Sequence, residues 1–293
     1  MALISELSAI ILPIFICAAI GLAWSRTEAV FDSDLVSILV YKISVPCLII
    51  AIFAKVRLTP DAVAAVASAA LVIYLVTAAG AALILRLARL SMPSYLPSLM
   101  FPMVGSMGLP ICLFAFGEEG LALALVFFTL GAIGTFTIGS AIAAGRVSYL
   151  RLISEPAIWA AFIAVALLWF EMTLPKWLVD TTGLLGGMAI PLQLIALGSS
   201  LAQFRVTSLP RGVFLSLLRL ALGYGAGFGI AEIFDLNGLV RAIVIVQSAM
   251  PVAVSNYLFA AVYKREPTEV AGMVLISTGI TFVTLPLLLI YLL

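Results

Sequence analysis

The sequence predicts an all-α polytopic membrane protein whose ten transmembrane helices form a five-plus-five inverted repeat. Three observations predict this fold: the composition is strongly apolar, the apolar runs are long enough to cross a bilayer, and short motifs recur five spans apart. Hydrophobic residues occupy 64% of the 293 positions and charged residues only 10%, and the mean hydropathy is +1.27. A soluble domain has about 25% charged residues, so most of this surface must face lipid. The net charge of +1 gives no indication of a nucleic-acid partner.

The ten spans follow from apolar runs of about 20 residues, the length that crosses about 30 Å of hydrocarbon as a helix. They are predicted near 4–24, 34–54, 62–87, 95–116, 121–143, 152–171, 183–203, 211–232, 239–262 and 269–292. The first run, Leu7 to Trp24, lacks the basic start and the small-residue cleavage site of a signal peptide. We therefore expect it to be a retained span.

The loop charges predict the orientation, because basic residues concentrate on the cytoplasmic side of a membrane protein. With the N-terminus outside, the inner loops hold Arg26, Arg86, Arg89, Arg146, Arg151, Arg205, Arg211, Lys264 and Arg265, and the outer connections hold Lys55, Arg57, Lys176 and Arg241. This bias predicts that both termini lie outside.

Internal repetition predicts the inverted architecture. Three segments of the first half resemble three of the second: 44–48 resembles 189–193, 109–110 resembles 250–251, and 126–131 resembles 274–279. Each pair is separated by five spans. Because five is odd, the two halves must have opposite orientations in the membrane, as in many secondary transporters.

Helix-breaking residues occupy matching places in spans four and nine. Span four carries Gly105 to Pro110, and span nine carries Gln247 to Asn256 around Pro251. Proline removes a backbone hydrogen bond and clashes with the preceding turn. A break at the midplane would leave helix N-termini that suit an anion, and irregular backbone at that depth must line a cavity or be buried. The alternative is a simple kink in each helix.

These motifs resemble those of a known family. The Gly-x-x-Gly-Leu-Pro pattern at 105–110, the 247–256 segment, Val45-Pro46, Ser277-Thr278 and Leu285-Pro286 resemble the auxin efflux carrier family, which includes bacterial malonate-type carriers and plant PIN-FORMED exporters. Ser106 departs from the pattern, because many members have asparagine there. In the plant branch of the family that asparagine is linked to substrate contact, so auxin itself is not the expected solute here.

The resemblance implies further properties. The fold would have crossing broken helices four and nine and would be related to bile acid–sodium symporters. A scaffold domain would comprise 1–58 and 149–206, and a transport domain 59–148 and 207–293, with an elevator motion between them. A homodimer through the scaffold domain and a bacterial inner-membrane location are also implied.

Candidate substrate-binding residues are of two kinds. Lys42 and Arg219 are basic residues deep in their spans, where a charge is costly and usually functional. Without a carboxylate at comparable depth they favour an anionic solute, although they could instead snorkel to a surface or cap carbonyls. The uncharged candidates surround the prolines: Ser106, Gly108, Pro110, Gln193, Gln247, Pro251, Ser255 and Asn256. They could bind solute or only satisfy backbone freed at a break.

Other features restrict the function. The three cysteines, Cys17, Cys47 and Cys112, lie in apolar runs, and the chain has no histidine, so we expect no Cys/His metal site and no cofactor. Gly223, Gly225, Gly227 and Gly229 predict close helix packing or a gliding surface in span eight, where a bulky residue at 225 would be harmful.

The predicted function is secondary transport of a small organic anion, a carboxylate or a dicarboxylate such as malonate. The alternative is a channel or a membrane receptor for a small solute. Enzymatic chemistry is not expected, because no histidine or deep carboxylate provides an acid–base pair. The sequence leaves open whether transport is coupled to Na⁺ or H⁺ or is uniport driven by the membrane potential.

Overall fold

The computed structural model describes residues 2–27, 32–145, 156–170, 172–205 and 208–293, and these residues are almost entirely helical. No β-strand occurs among them, and two residues, Pro102 and Val252, form one isolated antiparallel bridge.

Fourteen α-helices make up the described chain. In order they are α1 (Ala2–Trp24), α2 (Ser33–Leu39), α3 (Val45–Lys55), α4 (Pro60–Leu87), α5 (Met92–Met100), α6 (Leu109–Gly134), α7 (Ser140–Ala144), α8 (Pro156–Trp169), α9 (Lys176–Gly187), α10 (Ala189–Gln203), α11 (Leu209–Ile233), α12 (Gly238–Ser248), α13 (Val254–Val262) and α14 (Pro267–Leu292). Five-residue π-helical turns occupy Val40–Ser44, Val104–Gly108 and Thr135–Gly139.

Seven helical stretches of the described chain are long and apolar enough to cross a membrane. They are Leu7–Trp24, Leu35–Lys55, Pro60–Leu87, Val104–Ala144, Lys176–Gln203, Leu209–Ile233 and Pro267–Leu292, and two shorter apolar helices are Pro156–Trp169 and Gly238–Ser248. Large apolar side chains such as Leu75, Trp169 and Leu287 are exposed on their surfaces, as lipid-facing residues are. These observations confirm a helical integral membrane protein, and the count of ten spans stays a prediction.

Two of the π-helical turns end two residues before a proline. Pro46 and Pro110 have no N–H to donate to the carbonyl four residues earlier. The residue before each proline donates five residues back instead: the N–H of Val45 bonds to the carbonyl of Val40, and the N–H of Leu109 bonds to that of Val104. The proline positions therefore account for these two local changes of helix geometry.

Glycines allow α1 and α10 to approach closely. A Cβ atom on Gly21 would lie 1.9 Å from the carbonyl oxygen of Ile195, and one on Gly198 would lie 1.8 Å from that of Ala18. Neither position can carry a side chain without separating the helices. Small residues at helix crossings have this role in membranes.

The glycines of α11 divide into two pairs. A Cβ atom on Gly223 would lie 2.2 Å from the carbonyl oxygen of Ser248, and one on Gly227 would lie 2.0 Å from its hydroxyl. No described atom lies within 4 Å of the corresponding positions at Gly225 and Gly229. Close helix packing is thus confirmed for the first pair. At Gly225 a Cβ atom would meet no described atom, so close packing does not explain that glycine, and the expectation that a bulky residue there would be harmful stays a prediction.

Candidate functional site

The helical chain is interrupted at two places that contact each other. Helix α5 ends at Met100 and the next helical turn begins at Val104, while α12 ends at Ser248 and α13 begins at Val254. We call residues 101–103 the first interruption and 249–253 the second interruption. The first interruption lies just before the predicted 105–110 motif, whose residues form the π-helical turn and the start of α6.

Hydrogen bonds join the two interruptions. The N–H of Met103 donates to the carbonyl of Pro251 over 2.8 Å, next to the bridge between Pro102 and Val252. The side-chain amide of Asn256 donates to the carbonyl of Phe101 over 3.1 Å. One of these bonds joins two backbone groups and the other joins a backbone carbonyl to a side-chain amide, so these freed backbone groups are paired, as buried polar groups require.

Arg219 lies between the helix ends that precede the interruptions. Its side chain is 1% exposed. Nη1 donates to the carbonyl of Leu99 over 3.0 Å, and Nη2 donates to the carbonyl of Ser248 over 2.8 Å. This arrangement corresponds to the alternative in which Arg219 caps carbonyls, and its role as a substrate ligand stays a prediction.

Two small adjoining cavities lie where the chain resumes a helix after each interruption. Each has a volume of about 60 Å³, and they share Tyr41, Ser106, Val254 and Ser255 in their linings. We call them the site cavities. One of them also contacts Met103 and Ala253. At about 10–15 Å³ for each enclosed water, each cavity would hold about four to six waters.

The lining of the site cavities is neutral and partly polar. Its hydroxyl and amide groups belong to Ser37, Tyr41, Ser106, Thr135, Gln193, Ser200 and Ser255. None of the described residues that line the cavities is charged. These groups can donate and accept hydrogen bonds without the cost of burying a charge.

Gln193 carries unsatisfied polar atoms at this site. The residue is buried, and neither its amide nitrogen nor its amide oxygen has a hydrogen-bond partner within the described structure. Asn256 has one such atom, Oδ1. Buried polar atoms are nearly always bonded to protein or water. An amide with no partner that lines a cavity therefore indicates a place for water or a solute.

The structure brings together only part of the predicted site. Three of the predicted residues, Ser106, Gln193 and Ser255, line the site cavities, and Asn256 is bonded to the first interruption. Pro251 is buried in the second interruption, and its carbonyl bonds to Met103. Substrate contact by each of these residues stays a prediction.

The remaining predicted residues lie off the described cavity linings. Gln247 is packed against α6, where its Nε2 donates to Cys112 Sγ over 3.7 Å and its Oε1 would lie 2.2 Å from a Cβ atom on Gly108. Pro110 is buried in the first turn of α6, and Lys42 is exposed within the π-helical turn of 40–44. Their binding roles also stay predictions.

Sequence reasoning missed several lining residues. Tyr41, Ser37, Thr135 and Ser200 were not predicted. Tyr41 directly precedes Lys42, and the rule that a charge at membrane depth is usually functional indicates the lysine rather than the tyrosine. Tyr41 lies five residues before Pro46, and this proximity to a helix-breaking residue is the signal in the sequence.

Two larger cavities have other surroundings. One of about 260 Å³ is lined almost entirely by apolar residues of α3, α4, α6 and α8, which suits lipid chains better than a polar solute. One of about 420 Å³ contacts Lys55, Glu118 and Pro191. Neither is lined by any of the predicted site residues, so size alone does not identify the site.

Similar proteins were found by sequence comparison. A transporter of Methanocaldococcus jannaschii, named as uncharacterized, is 27% identical over 198 residues, which cover 62% of this chain and 63% of the relative. A second transporter so named, from Methanothermobacter thermautotrophicus, is 30% identical over 192 residues, which cover 62% of each chain. The chain thus matches less than two thirds of the length of these curated relatives.

The family comparison covers the second half of the chain. The sequence profile of the family described as "Membrane transport protein" matches residues 140–289, about half of the sequence. This region contains the second interruption, α11 and the 247–256 motif. The chain therefore belongs to the membrane transport protein family, the auxin efflux carrier family that its motifs resemble.

Proposed function

We propose that this protein is a secondary transporter that carries a small organic anion across the membrane and binds it in the site cavities. The substrate is a carboxylate, or a dicarboxylate such as malonate. The observation that carries the proposal is the pair of buried interruptions, hydrogen-bonded to each other beside a polar cavity. Irregular backbone at membrane depth is tolerated where it lines such a cavity or is buried in protein.

The helix termini support an anionic substrate. The helical chain resumes at Val104 and at Val254, and both residues line the site cavities. The first N–H groups of a helix lack intrahelical acceptors and carry partial positive charge, which suits a carboxylate. The N–H of Val104 already donates to the carbonyl of Pro102 over 2.9 Å, so the following N–H groups and the helix dipole would act on the anion. Two helix N-termini and neutral hydrogen-bond donors, rather than Lys42 and Arg219, therefore support an anionic substrate.

Equivalent packing in the two halves supports the five-plus-five inverted repeat. Spans one and seven pack together as α1 and α10, and spans two and six pack together as α3 and α8. In a five-plus-five repeat, span six is the counterpart of span one and span seven is the counterpart of span two. The two packed pairs are then counterparts of each other. The stretch Val104–Ala144 is 41 residues long, about 60 Å as a helix and thus twice the hydrocarbon thickness. The non-helical conformation at Gly117 inside it suits a division into two spans.

The location of the site cavities supports an elevator mechanism. Tyr41 and Gln193 belong to the proposed scaffold domain of 1–58 and 149–206, and Ser106 and Ser255 belong to the proposed transport domain of 59–148 and 207–293. A solute between them would contact both domains and move with the transport domain. The crossing of broken helices four and nine is part of this proposal.

The remaining assignments rest on the family resemblance and on loop charge. We infer a homodimer through the scaffold domain, a bacterial inner membrane, and both termini outside. Arg146 and Arg151, two of the predicted inner-loop charges, lie outside the described residues.

Counterflow in proteoliposomes tests the transport proposal without knowledge of a driving ion. Vesicles loaded with unlabelled acid are given labelled monocarboxylates, malonate or larger aromatic acids. We expect saturable exchange of one acid, which Ser255→Ala weakens and the exposed control Ser68→Ala does not. Absence of exchange with every acid by the folded protein would overturn the proposal, and single-channel currents far above carrier turnover would support a channel instead.

A further inference from the structure

Arg219 is positioned to hold two helix ends together. It lies in the middle of α11 and is almost completely buried. One guanidinium bonds to Leu99, in the last turn of α5, and to Ser248, the last residue of α12, over 3.0 and 2.8 Å. These acceptors are 120 and 29 residues away along the chain.

Two helix C-termini that converge in an apolar interior need a cation. The last four carbonyls of a helix have no intrahelical donor and carry the negative end of its dipole. Two such ends repel each other unless a positive group lies between them. A guanidinium suits this position, because its fixed donors can bond to two acceptors at once.

No carboxylate in the described part of the chain forms an ion pair with Arg219. The described ion pairs join Lys176 to Asp180, Arg211 to Glu269, and Arg241 to Glu232. The charge of Arg219 is therefore balanced by the two carbonyl dipoles. A buried charge without a partner would be costly, so the two helix ends and the guanidinium stabilise one another.

The surroundings are shaped for this contact. A Cβ atom on Gly223 would lie 2.2 Å from the carbonyl oxygen of Ser248 and 3.2 Å from Nη2 of Arg219. Glycine at this position, one turn beyond Arg219, lets the end of α12 reach the guanidinium. The close packing of α11 against the end of α12 therefore allows the hydrogen bond between Arg219 and Ser248.

In secondary transporters, carbonyls at the ends of interrupted helices can coordinate a coupling cation. Here two such carbonyls, those of Leu99 and Ser248, already accept hydrogen bonds from Arg219. We propose that Arg219 is a built-in cation that takes this place and fixes the two interruptions relative to each other. It is a positioning residue for the site cavities and does not contact the solute. The proposal goes beyond the transport function, because it does not depend on which solute is carried.

Thermal unfolding of purified Arg219 variants tests the proposal, because the variants differ in charge and in hydrogen-bonding capacity at this position. Arg219→Lys keeps a cation, whereas Arg219→Met keeps similar length without charge and leaves both carbonyls without a donor. We expect Tm to fall by about 10 °C in Arg219→Met and by clearly less in Arg219→Lys. If Arg219→Met is as stable as Arg219→Lys, or more stable, the proposal is overturned.

Chemical rescue provides a readout that a merely space-filling side chain would not give. Millimolar guanidinium should raise the Tm of Arg219→Ala, while tetramethylammonium, which cannot donate hydrogen bonds, should not. The control is Leu85→Ala, a fully buried aliphatic position in α4, which neither ion should rescue. Equal effects of guanidinium on both variants, or no effect on Arg219→Ala, would contradict a cation site.

These measurements are independent of the transport assay. If the wild-type protein exchanges no acid, the proposed function fails, but the unfolding comparison still decides the role of Arg219. If the wild-type protein exchanges an acid and Arg219→Lys keeps its KM while Arg219→Met is inactive, both proposals are supported.

Discussion

The side-chain amide of Asn256 donates a 3.1 Å hydrogen bond to the carbonyl of Phe101, which lies 155 residues earlier in the chain. This bond joins the first turn of α13 to the first interruption. With the bond from Met103 to Pro251, it fixes the two sides of the site cavities relative to each other. A side chain that the sequence suggested for solute binding thus also has a structural role.

Removal of this bond should destabilise the protein. Asn256→Ala leaves the buried carbonyl of Phe101 without its donor, and side-chain hydrogen bonds inside membranes contribute about 1 kcal/mol. We expect a lower unfolding temperature in detergent together with weaker counterflow. Asn237→Ala is the matched control, because the amide of Asn237 bonds to Asp235 at an exposed position and its loss should have little effect. Equal stability of the two variants would show that the bond contributes nothing.

Gln193 should show opposite effects on stability and on transport. Its buried amide atoms have no partner in the described structure, so Gln193→Met removes a desolvation cost without breaking a bond. We expect a protein at least as stable as wild type, with KM in counterflow raised about tenfold by loss of a solute contact. Gln247→Met should change KM less, since Gln247 packs against α6. A larger increase in KM for Gln247→Met than for Gln193→Met would indicate that the solute binds near Gln247 and not in the site cavities.

The sequence predicted the membrane class and the family well, because both depend on short stretches of consecutive residues. Apolar runs specify helices in lipid, and the 247–256 motif lies within the region matched by the family profile. The prolines also changed the local helix geometry, since the turns before Pro46 and Pro110 are π-helical. The location of the first interruption was less predictable: it lies at residues 101–103, before the glycines and proline that indicated it.

The members of the site were harder to predict, because lining a cavity depends on which helix face meets which neighbour. Gln193 and Gln247 look alike in sequence, as amides close to a proline, yet only Gln193 lines the site cavities. The sequence makes Arg219 a candidate substrate ligand, because buried charge usually marks function, with capping of carbonyls as the alternative. Its partners are carbonyls that become free only when two distant helices end, and no local pattern shows this.

The two faces of α11 should respond differently to alanine. Gly223→Ala would place a Cβ atom 2.2 Å from a backbone oxygen, so we expect destabilisation by about 1–3 kcal/mol. Gly225→Ala meets no described atom within 4 Å and should be neutral or stabilising by up to about 1 kcal/mol, since alanine favours helix. Thermal unfolding of both variants checks this. If Gly223→Ala unfolds at the wild-type temperature, α11 and α12 pack less closely than described.

Exchange should not need sodium. The carbonyls of Leu99 and Ser248, where a coupling cation would find ligands, are bonded to Arg219. Replacement of Na⁺ by choline on both sides of the proteoliposome membrane should leave the counterflow rate unchanged. A rate that falls with Na⁺ removal and recovers on its return would place a sodium site elsewhere in the protein and argue for coupled transport.

Protection of an introduced cysteine tests most directly whether the carried solute occupies the site cavities. Ser255 lines both cavities, so Ser255→Cys would be made in a background with Cys17, Cys47 and Cys112 replaced by alanine. The rate of labelling by a small methanethiosulfonate reagent is then measured with and without the acid that exchanges in counterflow. We expect this acid to slow labelling, with half of the effect at a concentration near its transport KM, while an acid that is not exchanged has no effect. Labelling that proceeds at the same rate with saturating transported acid would contradict binding at this site.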